Sequence, residues 1–101
     1  MGKVIWHTPA LQQAHAIYDY YAQLSEVVAL GILNDIMNAP DILETAPESG
    51  APEPTFDGLT PTRRFLLVRR TYKIVYFVMN EECHITMIWN THNNPALFKE
   101  S

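Results

Sequence analysis

After a short opening stretch, the hydrophobic pattern of this chain changes period once. From residue 8 to about residue 38 the apolar positions recur at three- and four-residue spacing, as on one face of a helix. From residue 63 they recur every second residue, as on one face of a strand. Between the two lies "TAPESGAPEPTFDGLTPT" (45–62), which holds four of the seven prolines and two of the four glycines. Such a stretch supports neither a helix nor a central strand, and it is long for a loop in a compact domain. A chain built this way gathers its helices in one half and its strands in the other, which points to an α+β domain rather than alternating βαβ units.

The individual elements follow from local signals. "KVIWH" (3–7) is short, β-branched and aromatic, and reads as a strand. Thr8-Pro9 reads as a helix start, with Thr8 as N-cap and Pro9 at the first helical position. Leu11, Ala14, Tyr18, Tyr21 and Ala22 then share a face. Ser25 is the next N-cap, and Ala29, Ile32, Leu33 and Ile36 form the stripe of a second helix. Pro40 disfavours helix at the residue before it, so this helix stops near Asn38-Ala39. The short joint makes the two helices an antiparallel hairpin. Phe56 and Leu59 are expected to pin the loop to the body. "RRFLLV", "YKIVYFVM" and "HITMIW" read as three strands, with turns around Arg69–Thr71 and at "NEEC". The second is apolar on both faces, as a central strand should be. In the last, Ile85, Met87 and Trp89 alternate with His84, Thr86 and Ile88. The predicted plan is β-α-α-β-β-β, a single domain spanning 1–101 with a helical hairpin packed on a mostly antiparallel twisted sheet.

Composition excludes several classes. At 101 residues, with 48% hydrophobic and 18% charged residues, the chain reads as one small soluble globular domain. No apolar run approaches the ~20 residues of a membrane span, and no signal-peptide pattern opens the chain. The single cysteine, Cys83, excludes an internal disulfide and fits a reducing, cytoplasmic setting. Its place beside Glu81 and Glu82 argues against a reactive thiolate. His7, His15, His84 and His92 lack the spacing of a metal site, so neither metal nor cofactor is expected. The net charge of −4 conceals an asymmetry: residues 1–57 carry −7 and residues 58–101 carry +3. The mean charge argues against broad nucleic-acid binding, whereas Arg63, Arg64, Arg69, Arg70 and Lys73 leave room for a local anionic partner. Period two splits these cations between the two faces of the sheet.

Two motifs and the order of elements carry a resemblance. Tyr72-Lys73-Ile74-Val75-Tyr76 matches the Tyr-Arg-Ile-x-Tyr of a central strand. Trp89-Asn90-Thr91-His92-Asn93-Asn94-Pro95 matches Trp-x-Thr-Arg-x-Asn-Pro at the end of the last strand. With an N-terminal "VIW" strand and a Tyr-rich helical hairpin, the chain resembles the RelE/ParE superfamily, the toxins of type II toxin–antitoxin (plasmid stabilisation) modules. The family's Arg is replaced by Lys73 in the first motif, which keeps the charge but loses the bidentate fork, and by His92 in the second.

The resemblance implies a growth-inhibiting toxin neutralised by a cognate antitoxin from an adjacent gene, with self-association in its absence a further expectation. It leaves the activity open. A ParE-like toxin blocks its target, DNA gyrase in the family, by binding. A RelE-like endoribonuclease cuts mRNA on the ribosome, and here His92 and Lys73 would be its catalytic residues. A silenced member would keep only antitoxin binding. The acidic charge favours the first. His92 is otherwise a polar residue where a strand stops, since Asn and Pro end strands by turn chemistry. For antitoxin or target binding, the residues singled out are Arg64, Arg70, Lys73, Tyr76 and Asn90. Lys73 stands out because packing alone does not explain a charge inside an apolar strand. The tyrosines and Trp6 and Trp89 read mainly as core, the two tryptophans stacked within it, and His7, His15 and His84 as incidental.

Overall fold

The computed structural model describes residues 2–92. Strand β1 (Lys3–Trp6) leads into α1 (Thr8–Ala22) and α2 (Glu26–Asn38), followed by a 3₁₀ turn over Ala39–Glu44. The loop that follows contains a two-residue strand, β2 (Ala51–Pro52), and a 3₁₀ turn over Pro54–Phe56. Then come β3 (Arg64–Val68), β4 (Tyr72–Met79) and β5 (Glu82–Asn90). The five strands form one sheet in the order β1-β5-β4-β3-β2, parallel only between β1 and β5. The helical hairpin covers one face, as the pattern of periods predicts.

The caps are local. Ser25 Oγ accepts from the Val28 amide at 3.3 Å and starts α2. At α1 the cap position falls on His7, whose backbone is extended and whose side chain makes no cap, so Thr8 and Pro9 already lie inside the helix. The buried face of α1 is also rotated from the sequence expectation. Ala10, Ala14, Ile17 and Tyr21 meet the core, while Leu11 is 43% exposed. Both sets have helical spacing, and small alanines let the helix lie closer to the sheet.

The β3–β4 turn has three residues (69–71) and the β4–β5 turn two (80–81), and each contains a left-handed pair. Arg69 and Arg70 have φ of 53° and 59°, and Asn80 and Glu81 have 53° and 64°. Left-handed pairs of this kind match the twist of the strands they join. At the non-glycine positions each costs about 1 kcal/mol. Cys83 consequently lies inside β5 rather than in a turn. Burial pushes its thiol pKa up, which suits an unreactive core residue.

One irregularity sets which β5 residues face which side. Val75 pairs with Met87 but Tyr76 pairs with Ile85, so Thr86 is an extra residue, its hydroxyl donating to the Val75 carbonyl. The bulge turns both Ile85 and Ile88 toward the helices, where they join Ile32, Ile36, Ile74 and Tyr76. His84, Met87 and Trp89 then share the opposite face. The strict alternation expected of this strand fails at Thr86, and Trp6 and Trp89 lie on opposite faces instead of stacking. Both faces of β4 are buried, with Ile74 and Tyr76 on one and Val75 on the other.

The long loop is held by its backbone. Tyr76 Oη donates to the Pro47 carbonyl at 2.8 Å and accepts from the Gly50 amide at 2.9 Å. A Cβ at Gly50 would lie 2.6 Å from the Phe65 carbonyl oxygen and 2.7 Å from Tyr76 Oη, so only glycine fits. Gly50→Ala is expected to lower stability by about 2 kcal/mol, read as a reduced denaturation midpoint at unchanged m-value.

Candidate functional site

The face of the sheet opposite the helices concentrates most of the chemistry. Lys73, at the centre of β4, points outward, as do Phe65 on β3 and Trp89 on β5, which flank it. Its ammonium lies 4.3 Å from the Phe65 ring centroid and 4.9 Å from that of Trp89. It donates at 2.6 Å to Glu53, whose side chain is only 1% exposed. Glu53 also accepts from the Thr55 amide at 2.9 Å, and its own amide donates to the Arg63 carbonyl. Burial raises the carboxyl pKa, but the Lys73 and Thr55 bonds outweigh it and hold Glu53 below its ordinary value. The charge in the apolar strand thus has a packing partner supplied by the loop. Glu53 pins that loop, whereas Leu59 remains 46% exposed.

The other predicted binding residues are dispersed. Arg64 lies on the helix side and donates to the Gly50 carbonyl at 2.9 Å. Tyr76 is fully buried, so it offers a partner no surface; burial also raises its hydroxyl pKa. Arg70 is exposed at its turn. Of the other cations, Arg69 is tied to Asp35 of α2 at 2.6 Å and Arg63 donates to the Pro61 carbonyl at 2.7 Å.

Asn90 ends β5 beside a groove of about 520 Å³ that runs between α1 and the sheet, lined by Gln13, Ile17, Tyr20, Tyr21 and Tyr72. Tyr72 is pushed well above its ordinary pKa by burial and by its bond to the Tyr21 hydroxyl. Asn90 Oδ1 accepts from the His92 amide at 2.9 Å, so the polar run begins as a side-chain-closed turn. His92 is exposed. Asn93, Asn94, Pro95 and Lys99 lie outside the described residues. Lys73 and His92 therefore do not form an acid, a base and an available cation around one position. No group of three metal-ligating side chains occurs among the described residues.

One assembly escapes sequence reasoning. His7 and His84 are 77 residues apart yet share a hydrogen bond, Nε2 to Nδ1, of 2.9 Å. A neutral His84 donating from Nε2 to Glu82 at 3.2 Å leaves Nδ1 to accept from His7. Phe77 stacks on His84 at 4.9 Å, and the Arg63 guanidinium lies 4.5 Å from the Phe77 ring centroid. The chain holds the end of β1 against β5. Only the parallel β1–β5 pairing brings the histidines together, and nothing in the sequence signals that pairing.

A helical hairpin on one face of a five-stranded mixed sheet, with the first motif on β4 and the second beginning at the end of β5, defines the RelE/ParE class of toxins. The chain belongs to the family described as the ParE toxin of the type II toxin–antitoxin system, parDE, whose model matches residues 4–95. It is similar to a solved structure described as the chromosomal ParDE TA system from P. aeruginosa, at 27% identity and a TM-score of 0.73. That alignment covers 89% of this chain and 96% of the other. No curated protein matches it.

The Lys73–Glu53 pair makes a signed prediction. Because Glu53 titrates below its ordinary value, its stabilisation is complete above pH 4.5 and is lost as pH falls through the depressed folded-state value. Lys73→Met leaves a buried carboxylate without its cation and is expected to cost about 3 kcal/mol. In that variant only the Thr55 bonds still oppose burial, so the Glu53 pKa rises from its wild-type position and the gain of stability with rising pH should shrink. Urea unfolding of both proteins between pH 3 and pH 7 checks the difference in slope.

Proposed function

We propose that this toxin acts by binding its target rather than by cutting nucleic acid, that a cognate antitoxin from an adjacent gene neutralises it, and that DNA gyrase, the target the family resemblance suggests, is the protein it inhibits. The observation that carries the reading is the neutralised state of Lys73. Phosphodiester cleavage needs an acid–base group beside a cation that stabilises the charge developing on the phosphorane. Here the cation of the central strand is bound to a buried carboxylate, and His92 stands exposed at the end of the next strand. Of the residues singled out for binding, Arg70 and Asn90 remain open to a partner, while Arg64, Lys73 and Tyr76 organise the loop.

Induction without antitoxin, with labelled thymidine and labelled methionine followed in parallel, tests this. DNA synthesis is expected to fall first, with a DNA-damage response, and His92→Ala is expected to arrest growth as fully as the wild type. Earlier collapse of translation, with His92→Ala losing most of the toxicity, would instead establish the ribosome-directed nuclease. Unchanged growth in the native host would mark a silenced toxin that retains only antitoxin binding.

A further inference from the structure

Strand β1 pairs with β5 only as far as Trp6 and Ile85, whereas β5 runs on to Asn90. Past that point its neighbour is α1, and a helix cannot continue a strand ladder. Gln13 of α1 fills part of the gap, its Oε1 accepting from the Ile88 amide at 2.6 Å. The groove left between α1 and the end of β5 measures about 520 Å³. That lies within the roughly 300–1,000 Å³ of small-molecule sites.

The hydrogen bonds around this groove decide what its side chains can still offer. A backbone N–H only donates, so the Ile88 amide commits the oxygen of Gln13, and the His92 amide commits Oδ1 of Asn90 at 2.9 Å. Each side chain therefore keeps its NH₂ as the uncommitted end, and neither NH₂ has a partner among the described residues. The Tyr21 hydroxyl accepts from Tyr72 at 3.4 Å, which leaves its own proton to give. Three polar side chains on one groove thus present donors. None of the lining residues is charged. A carboxylate or phosphate would enter without a counter-charge, and an ammonium would face donors. The walls are aromatic and aliphatic. Tyr20, 62% exposed, meets Tyr21 edge to face at 5.1 Å, and Ile17 and Ile88 complete the apolar lining.

We infer that this groove is a binding site for a small uncharged planar ring bearing carbonyl oxygens. The carbonyls accept from the NH₂ groups of Gln13 and Asn90, and the ring lies against Tyr20 and Tyr21. The inference concerns a small ligand and does not depend on which macromolecule the toxin inhibits.

Three probes of similar size test it on the full chain: uracil, meta-diaminobenzene and benzoate. Each is titrated while backbone and side-chain amide signals are followed by NMR. Uracil is expected to saturate in the millimolar range, with the largest shifts at Gln13, Tyr21 and Asn90, including both side-chain NH₂ groups. It should bind at least about fivefold tighter than meta-diaminobenzene, which carries amino groups in place of carbonyls, and than benzoate, which carries a charge. The double variant Gln13→Glu, Asn90→Asp keeps the oxygens that accept from Ile88 and His92 but removes both donors. Its affinity for uracil should fall at least about tenfold. Tyr20→Ala, at an exposed position, removes only the ring and should weaken uracil at least about threefold. That variant and the ranking of the probes do not require the double variant to fold. Equal or reversed preference among the probes, shifts centred elsewhere, or full affinity in either folded variant would overturn the inference. So would a failure of uracil to saturate.

Discussion

The ion pair between Lys73 and Glu53 joins the two parts of the fold that the chain leaves most weakly connected. The loop from 45 to 62 has little regular structure of its own and is too polar to collapse onto a core. It stays in place because strand residues receive it: Lys73 takes its carboxylate, Tyr76 its backbone at Pro47 and Gly50, and Arg64 the Gly50 carbonyl. A cation between two aromatic rings and a nearly dry carboxylate is costly to separate, since either partner left alone keeps its desolvation penalty. The same bond decides what the basic strands can offer a ligand.

Those strands look from the sequence like an anion-binding surface, yet most of their charge is spent internally. Arg63, Arg64, Arg69 and Lys73 hold Pro61, Gly50, Asp35 and Glu53 respectively. The acids that satisfy two of them come from the acidic first half, so the charge asymmetry along the chain is partly an arrangement for joining its halves.

Much of the architecture was legible because its causes are local. The change of period separated helices from strands, Ser25 and Pro40 bounded α2, and the run apolar on both faces located the central strand. The two motifs led to the family through their order and spacing. What was not legible depends on strand register. The extra residue at Thr86 sends Ile85 and Ile88 to the same side, and no alternating pattern contains that information. The rotated face of α1 is similar, since the expected and observed stripes both fit a helix and only close packing on the sheet chooses the one with alanines.

The sequence by itself therefore determined the class of fold, the order of its main elements and the family, since propensity, capping and period act over a few residues. Only the tertiary structure decided the standing of the candidate residues. Glu53 reaches Lys73 across 20 positions and His7 reaches His84 across 77, contacts that exist only after the sheet has assembled. Tyr76 became a loop anchor and Lys73 half of a buried pair for the same physical reason. A buried polar group must find its partner wherever the fold brings one, and sequence distance carries no information about that.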